Sequence, residues 1–315
     1  ERNPLWGPIP GHGNDMTCVP QLALGPILYY WPKEQIDDFY LRVGDADIDI
    51  VYLGETVCSK RRIMRTRDWI RIGEQLQAQG KTVILSTLTL LEAASELSAL
   101  KRLCVESPFL IEANDIAAVQ ILKELGKPFV TGPSFNIYNS RTLQKLGENG
   151  LLRWTLPVEL SATELAEFQR QRPDNIETEV FAWGRLPLSY SARCFTARAE
   201  NLQKDDCQFC CLDYPDGLLL STREDEAFLC INGIQIQSAR TMNLLGEIDR
   251  LIELGVDVLR ISPQSRNTMD IIERFKAVLN EPQSPKRFDA ELEGWTPTSV
   301  CNGYWNGDAG MERLF

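Results

Sequence analysis

The sequence predicts an α/β fold, a TIM-like (β/α) barrel with a cysteine-bearing insertion late in the chain. Three observations carry that expectation. From about residue 25, short runs rich in β-branched and aromatic residues alternate with amphipathic stretches in a regular beat. Adjacent strand and helix candidates are joined by short loops, which favours a closed ring of parallel strands over an open doubly wound sheet. No strand candidate is followed by G-x-G-x-x-G, and no G-x-x-x-x-G-K-[ST] occurs, so neither a dinucleotide crevice nor a P-loop is expected.

Residues 1–21 are rich in Pro, Gly and Asn and lack periodicity; they are expected to be a flexible tail, with Met16 a candidate start. Residues 22–315 are expected to form one barrel-like domain. A first strand is expected at 25–31, where Ile27 and Leu28 lead into Tyr29, Tyr30 and Trp31, with an amphipathic helix at 33–43 after it. The apolar runs at 49–54 and 82–87 read as strands, separated by a helix at 67–79 and followed by one at 90–105. The beat continues with strands at 109–113, 129–132, 153–157 and 177–182, interleaved with helices at 116–125, 140–146 and 163–171. The interval of about 185–233 breaks it: five cysteines, a charged stretch at 200–206 and a hairpin expected around Asp216-Gly217 mark an insertion after a strand end. A helix at 241–254 and a strand at 256–262 complete the ring, and the Pro-, Ser- and Gly-rich tail past Glu281 is expected to wrap irregularly over the barrel.

Composition narrows the function. At 43% hydrophobic, 315 residues can bury a full core. A formal charge of −11 argues against a surface that tracks phosphates, and the only dense basic run is Lys60-Arg61-Arg62 with Arg65 and Arg67. Nine cysteines in a chain of this length, without a secretory signal, point to a reducing cytoplasm rather than a disulfide framework. No stretch approaches 18 uninterrupted apolar residues, so no membrane span is expected.

The cysteines carry the chemistry. Cys194, Cys207 and Cys211 lie close together in sequence, and Cys58 sits just past a strand end in Gly-Glu-Thr-Val-Cys-Ser-Lys-Arg-Arg. Thiolates are soft ligands that suit an iron–sulfur cluster, and no second C-x-x-C knuckle accompanies Cys207-x2-Cys210 to make a zinc ribbon. Spacing leaves Cys210 and Cys301 open as ligands, whereas Cys104 and Cys230 sit in apolar runs typical of core thiols.

The segment Glu179 to Cys194 resembles the signature of the collagenase-like peptidase family, E-x-F-x-H-G-x-L-C-x-x-Y-S-G-x-C, with Trp183, Pro187 and Ala192 at its histidine, cysteine and glycine positions. Those departures, with Tyr52-Leu53-Gly54-Glu55-Thr56-Val57-Cys58 and Cys301-Asn302-Gly303-Tyr304-Trp305, resemble the UbiV branch of that family. The resemblance implies a [4Fe–4S] cluster on Cys58, Cys194, Cys207 and Cys211. It also implies a heterodimer with a homologous UbiU-like partner and oxygen-independent hydroxylation of a ubiquinone precursor, with prephenate as oxygen donor. An alternative within the family is hydroxylation of RNA, and the family's name adds a peptidase. Proteolysis by cysteine or serine needs a base, and the only histidine is His12 in the expected tail. H-E-x-x-H is absent.

Beyond the cysteines, catalytic residues are not identifiable from sequence. Glu55, Glu112, Glu159 and Glu179 lie in or just after strand candidates, where carboxylates either act on a ligand or pair internally with Arg153 or Arg260. Arg193, Arg198 and the Lys60–Arg62 run flank the cysteines as candidate cations near sulfur. Tyr29, Tyr30, Trp31 and Tyr190 are candidates either for a ring pocket or for core.

Overall fold

The computed structural model describes residues 19–281, 292 and 294–314. The expected tail, with His12, Cys18 and Met16, lies almost entirely outside the described residues, as does much of 282–293. Eight parallel strands close a ring: β1 (Gln21–Leu24), β2 (Ile50–Leu53), β3 (Thr82–Ser86), β4 (Leu110–Ala113), β5 (Phe129–Thr131), β6 (Leu151–Thr155), β7 (Glu177–Tyr190) and β11 (Val258–Ile261). Closure comes from β11, which pairs in parallel with β1 on one side and with β7 on the other, from Val258↔Glu179 to Ile261↔Trp183. The expected (β/α) barrel is therefore present, and the short β-strand runs are apolar because both faces are buried.

Alternation along each strand divides the core in two. Ala23, Ile50, Tyr52, Ile84, Val130 and Val258 point into the barrel. Their neighbours Leu22, Leu24, Val51, Leu53, Val83 and Leu259 point outward to the helical layer. That layer comprises α1 (Lys33–Asp45), α2 (Thr66–Ala78), α3 (Ala94–Glu106), α4 (Ile116–Glu124), α5 (Ser140–Gly147) and α6 (Ala162–Gln171), with α8 (Ile248–Glu253) and α9 (Thr268–Asn280) later in the chain. The side chains of Asp115, Asn139 and Ser161 cap α4, α5 and α6 by accepting from backbone N–H groups.

The insertion extends the same sheet beyond the ring. β7 continues past the barrel rim to Tyr190 and pairs antiparallel with β10 (Gln235–Asn243), which pairs with β9 (Ala227–Asn232) and then β8 (Leu218–Ser221). β12 (Val300–Cys301) adds to β10. α7 (Phe195–Ala199) lies between β7 and β8.

Three expectations are corrected here, and one element was missed. The first strand is Gln21–Leu24, not 25–31, because Pro26 has no N–H to donate to a ladder and the chain turns inward over the barrel instead. The expected helix at 241–254 is split: Thr241–Asn243 belongs to β10, held by Trp183–Arg185 and by Val300–Cys301, and only Ile248–Glu253 is α-helical. The β8–β9 hairpin turns at 222–226, where Thr222 N–H donates to Glu226 O. Gly217 instead bends the chain at φ +80°, and a Cβ there would lie 2.4 Å from Cys230 Sγ. Helix α9 was not anticipated, although Ile271, Ile272, Phe275, Val278 and Leu279 are buried at helical spacing.

Candidate functional site

The loop after β2 is fixed before it reaches Cys58. Gly54 has φ +127°, and a Cβ on it would lie 2.7 Å from Ser86 O, so only glycine lets β2 and β3 approach there. Glu55 Oε1 then accepts from the N–H groups of Val57 (2.9 Å) and Cys58 (3.0 Å), which sets the direction of the Cys58 side chain. Arg61 is buried; its guanidinium donates to Leu28 O and to Asn232 Oδ1, both at 2.7 Å, and lies 3.7 Å from Glu55. Asn232 Nδ2 in turn donates to Leu28 O at 2.8 Å and Gln235 Oε1 at 2.9 Å, and Gln235 Nε2 donates to Tyr190 OH at 2.7 Å. Lys60 Nζ donates to Lys204 O (2.8 Å) and Asp205 Oδ1 (2.7 Å). Two segments about 145 residues apart are thereby stitched together.

The late cysteines sit in the segment so held. Cys194 precedes α7, and its Sγ accepts from Ala197 N–H at 3.4 Å. Between Cys207 and the 3₁₀ turn Cys210–Asp213, Gln208 and Phe209 adopt left-handed φ of 49° and 55°, a costly conformation for side-chain-bearing residues that suits a functional turn. Burial raises the Cys58 thiol; the Lys60 backbone N–H and Arg61 oppose it, and Glu55 and Cys194 add to it. Burial pushes Cys211 up to about 11 against the charge and hydrogen bond of Arg61, with Cys58 and Cys194 raising it further. Lys60 is held above its ordinary value by Asp205 first, with Cys207 and Cys58 contributing. The four expected cysteines thus share one electrostatic neighbourhood. Burial raises the Cys210 thiol, with Cys194, Cys207 and Glu200 adding to it and no contribution from Arg61. Cys104, Cys230 and Cys301 are buried in the core; Cys301 is influenced by Arg240 and by no other cysteine. Arg193 and Arg198 are exposed, so of the expected cations only Arg61 and Lys60 contact the site.

Among the described residues no three Cys, His, Asp or Glu side chains are gathered to hold one metal ion. A single tetrahedral zinc, with bonds of about 2.3 Å, would need sulfurs roughly 4 Å apart. Thiolates are soft donors of the kind that hold iron–sulfur clusters, and Cys58, Cys194, Cys207 and Cys211 are the residues that would supply them here.

At the same end of the barrel lies a polar mouth. Arg260 is buried, with Nη1 2.7 Å from Glu112 Oε1, Nε donating to Glu179 Oε1 at 2.6 Å, and Cζ 4.0 Å over the Tyr52 ring. Tyr52 OH donates to Glu179 Oε2 at 2.5 Å, and Arg153 pairs with Glu177 at 2.6 Å. Burial lowers the Arg260 guanidinium, but Glu112, Glu179 and Tyr52 outweigh it and raise it well above its ordinary value. Two of the four expected glutamates are therefore internal partners of one arginine. Glu55 holds the Cys58 loop, and Glu159 only accepts from Tyr138 OH. Above this layer is a cavity of about 20 Å³, room for about one water, bordered by Thr56, Glu112, Asn114, Tyr190, Arg260 and Ser262. Arg260 Nη2 and Thr56 Oγ1 lie buried without hydrogen-bond partners. Tyr29 and Trp31 are core residues, bonded to Gln237 and to Pro215 O.

A sequence profile for peptidase family U32 matches residues 41–314. The chain belongs to peptidase family U32. Among curated relatives of this U32 chain, tRNA hydroxylation protein P1 of Bacillus subtilis (strain 168) is 27% identical over 200 residues, covering 56% of this chain and 45% of the relative. The tRNA hydroxylation protein P of Haemophilus influenzae is 44% identical over 59 residues, 19% of this chain and 13% of that protein. The chain spans less than half the length of either relative. Among solved structures, the U32 peptidase Mk0906 is 12% identical with a TM-score of 0.44, over 81% of this chain and 96% of that one. A dihydropteroate synthase from Thermus thermophilus is 11% identical with a TM-score of 0.42, over 84% and 96%.

Within this U32 chain, sequence reasoning missed Asn232, Gln235, Asn114, Thr56 and Ser262. Only the first left a local signal: Asn232-Gly233 is a hairpin dipeptide, and Gly233 takes φ +65° with Arg61 Nη2 3.1 Å from where a Cβ would stand.

Proposed function

We propose that the chain is the iron–sulfur subunit of an oxygen-independent hydroxylation system in the cytoplasm, holding a [4Fe–4S] cluster on Cys58, Cys194, Cys207 and Cys211. One observation carries the reading: Lys60 ties the loop of Cys58 to the segment that carries Cys194, Cys207 and Cys211, and the buried Arg61 lies behind that loop. A cluster with all four irons thiolate-ligated supplies electron transfer rather than an open iron site. The chain's own residues position it: Glu55 orients the Cys58 backbone, and Arg61 places positive charge against Cys211, which favours the thiolate form of a ligand. At the barrel mouth, Arg260 Nη2 is a free donor beside the Glu112 carboxylate, so the pair can accept and donate to one hydroxyl of a ring substrate.

The substrate we propose is a ubiquinone precursor, hydroxylated together with a UbiU-like homologue and with prephenate as oxygen donor. The motifs around Cys58 and Cys194 support this reading, as does a net charge of −11, which opposes a polyanion. A second reading, hydroxylation of tRNA, is favoured by the names of both curated relatives. Peptidase activity has the family's name behind it and no identified base. The test is to delete the gene, grow cells without oxygen, and measure ubiquinone and hydroxylated tRNA nucleosides by mass spectrometry. Loss of ubiquinone with nucleosides intact is expected; loss of the hydroxylated nucleosides with ubiquinone intact would transfer the assignment to tRNA.

A further inference from the structure

Helix α3 stands off the barrel. Only Leu100 and Cys104 of its residues are buried, while Leu97 and Val105 are 45% and 49% exposed. Beneath it, between α2 and the ends of β2 and β3, runs a slot of about 150 Å³ bordered by Trp69, Leu85, Leu88, Leu91, Leu100 and Leu103. Protein interiors are close-packed, and an apolar space of this volume is large enough to take a benzene-sized hydrocarbon. At about 150 Å³ it is too small to take a peptide helix, whose diameter with side chains is about 10 Å. One end is polar. Ser86, 3% exposed, borders the slot with its hydroxyl unpartnered, and Glu55 and Glu96 border it as well. Two carboxylates there disfavour an anionic head group, such as that of a fatty acid, and accept from a hydroxyl.

The slot and the barrel mouth are neighbours. Gly54, Glu55, Thr87 and Leu88 face the slot, whereas Thr56 and Thr89 face the mouth. The wall between them is closed by Thr89 N–H donating to Thr56 O at 2.9 Å.

We infer that the slot under α3 binds the apolar chain of an uncharged, hydroxyl-bearing small molecule, with Ser86 and Glu55 at its head-group end. This goes beyond the ubiquinone-precursor reading: the closed wall makes the slot a site separate from the mouth, and binding to it can be read without turnover. The test is calorimetric titration of the anaerobically purified full chain with geraniol and, separately, with octanoate. Ala99 is exposed on α3 and borders the slot, so Ala99→Trp fills it from the solvent side without disturbing the core. Saturable geraniol binding is expected, at least ten-fold weaker in Ala99→Trp and at least ten-fold weaker for octanoate. No saturable binding, equal binding by Ala99→Trp with an unchanged circular dichroism spectrum, or equal binding of octanoate would overturn the inference. Geraniol binding in a chain found to serve tRNA would leave the slot standing and remove only the substrate reading; ubiquinone synthesis without geraniol binding would do the reverse.

Discussion

Replacing Arg61 by alanine separates the buried clamp from its exposed neighbour. The Arg61 side chain is 1% exposed and makes two charge-assisted hydrogen bonds at 2.7 Å, to Leu28 O and Asn232 Oδ1. At about 1.5–3 kcal/mol each, the two bonds sum to about 3–6 kcal/mol, and removing one partner of a buried charge pair costs about 3–5 kcal/mol, which we take as the expected loss. The substitution also leaves the Glu55 carboxylate without its cation, so the loop carrying Cys58 loses its anchor. Lys60→Ala is the internal comparison: Lys60 bonds the partly exposed Lys204 O and the 94% exposed Asp205, a pair worth about 0–1 kcal/mol. Urea unfolding under anaerobic conditions, followed by circular dichroism, with iron counted in the same samples, reads both quantities. Arg61→Ala should shift the unfolding free energy by about 3–5 kcal/mol and lower iron content, while Lys60→Ala stays within about 1 kcal/mol and keeps its iron. Equal effects from the two, or wild-type iron and stability in Arg61→Ala, would refute the role given to the buried network.

Gly132→Ala should disturb the mouth without touching the cysteines, because its Cβ would stand 2.3 Å from Asn114 Oδ1 and 2.7 Å from Glu112 Oε1; a destabilisation of about 1–3 kcal/mol with unchanged iron content is expected in unfolding and iron assays. Arg260→Met leaves Glu112 and Glu179 buried and unpaired and should cost about 3–5 kcal/mol by urea titration. Asp68 is held below the ordinary carboxyl range by the Arg65 backbone N–H and then by Lys33, so its contribution is present at neutral pH and fades as pH falls through its depressed value. Asp68→Ala should therefore lose about 1 kcal/mol at pH 7, and the difference from wild type should vanish in acid. Cys301→Ala should retain its iron, since Cys301 is buried against β10.

The ring was legible because strands buried on both sides, such as Val51 to Leu53 and Val83 to Leu85, leave continuous apolar runs between amphipathic helices. β1 was misplaced because Gln21-Leu22-Ala23-Leu24 contains no β-branched or aromatic residue, whereas the more strand-like run after it carries Pro26. The end of β10 was hidden because Thr241–Asn243 finds partners in a segment some sixty residues later, and apolar period alone reads Leu244, Leu245 and Ile248 as helix. At the site, the cysteines announced themselves by residue type and spacing. Arg61 was legible as a cation beside Cys58 but not as a buried clamp, Asn232 only as a turn residue and Gln235 not at all, because a clamp between distant loops has no period and an arginine in a basic run looks like surface until its burial is known.

The most direct measurement is iron and acid-labile sulfide, with a visible spectrum, on anaerobically purified wild type and on Cys58→Ala, Cys194→Ala, Cys207→Ala and Cys211→Ala, with Cys210→Ala as the control. About four irons per chain, lost in each of the four variants and kept in the control, is the result expected of a [4Fe–4S] cluster on this ligand set. A colourless protein binding one zinc, or loss of iron centred on Cys210, would contradict the ligand set and with it the redox role.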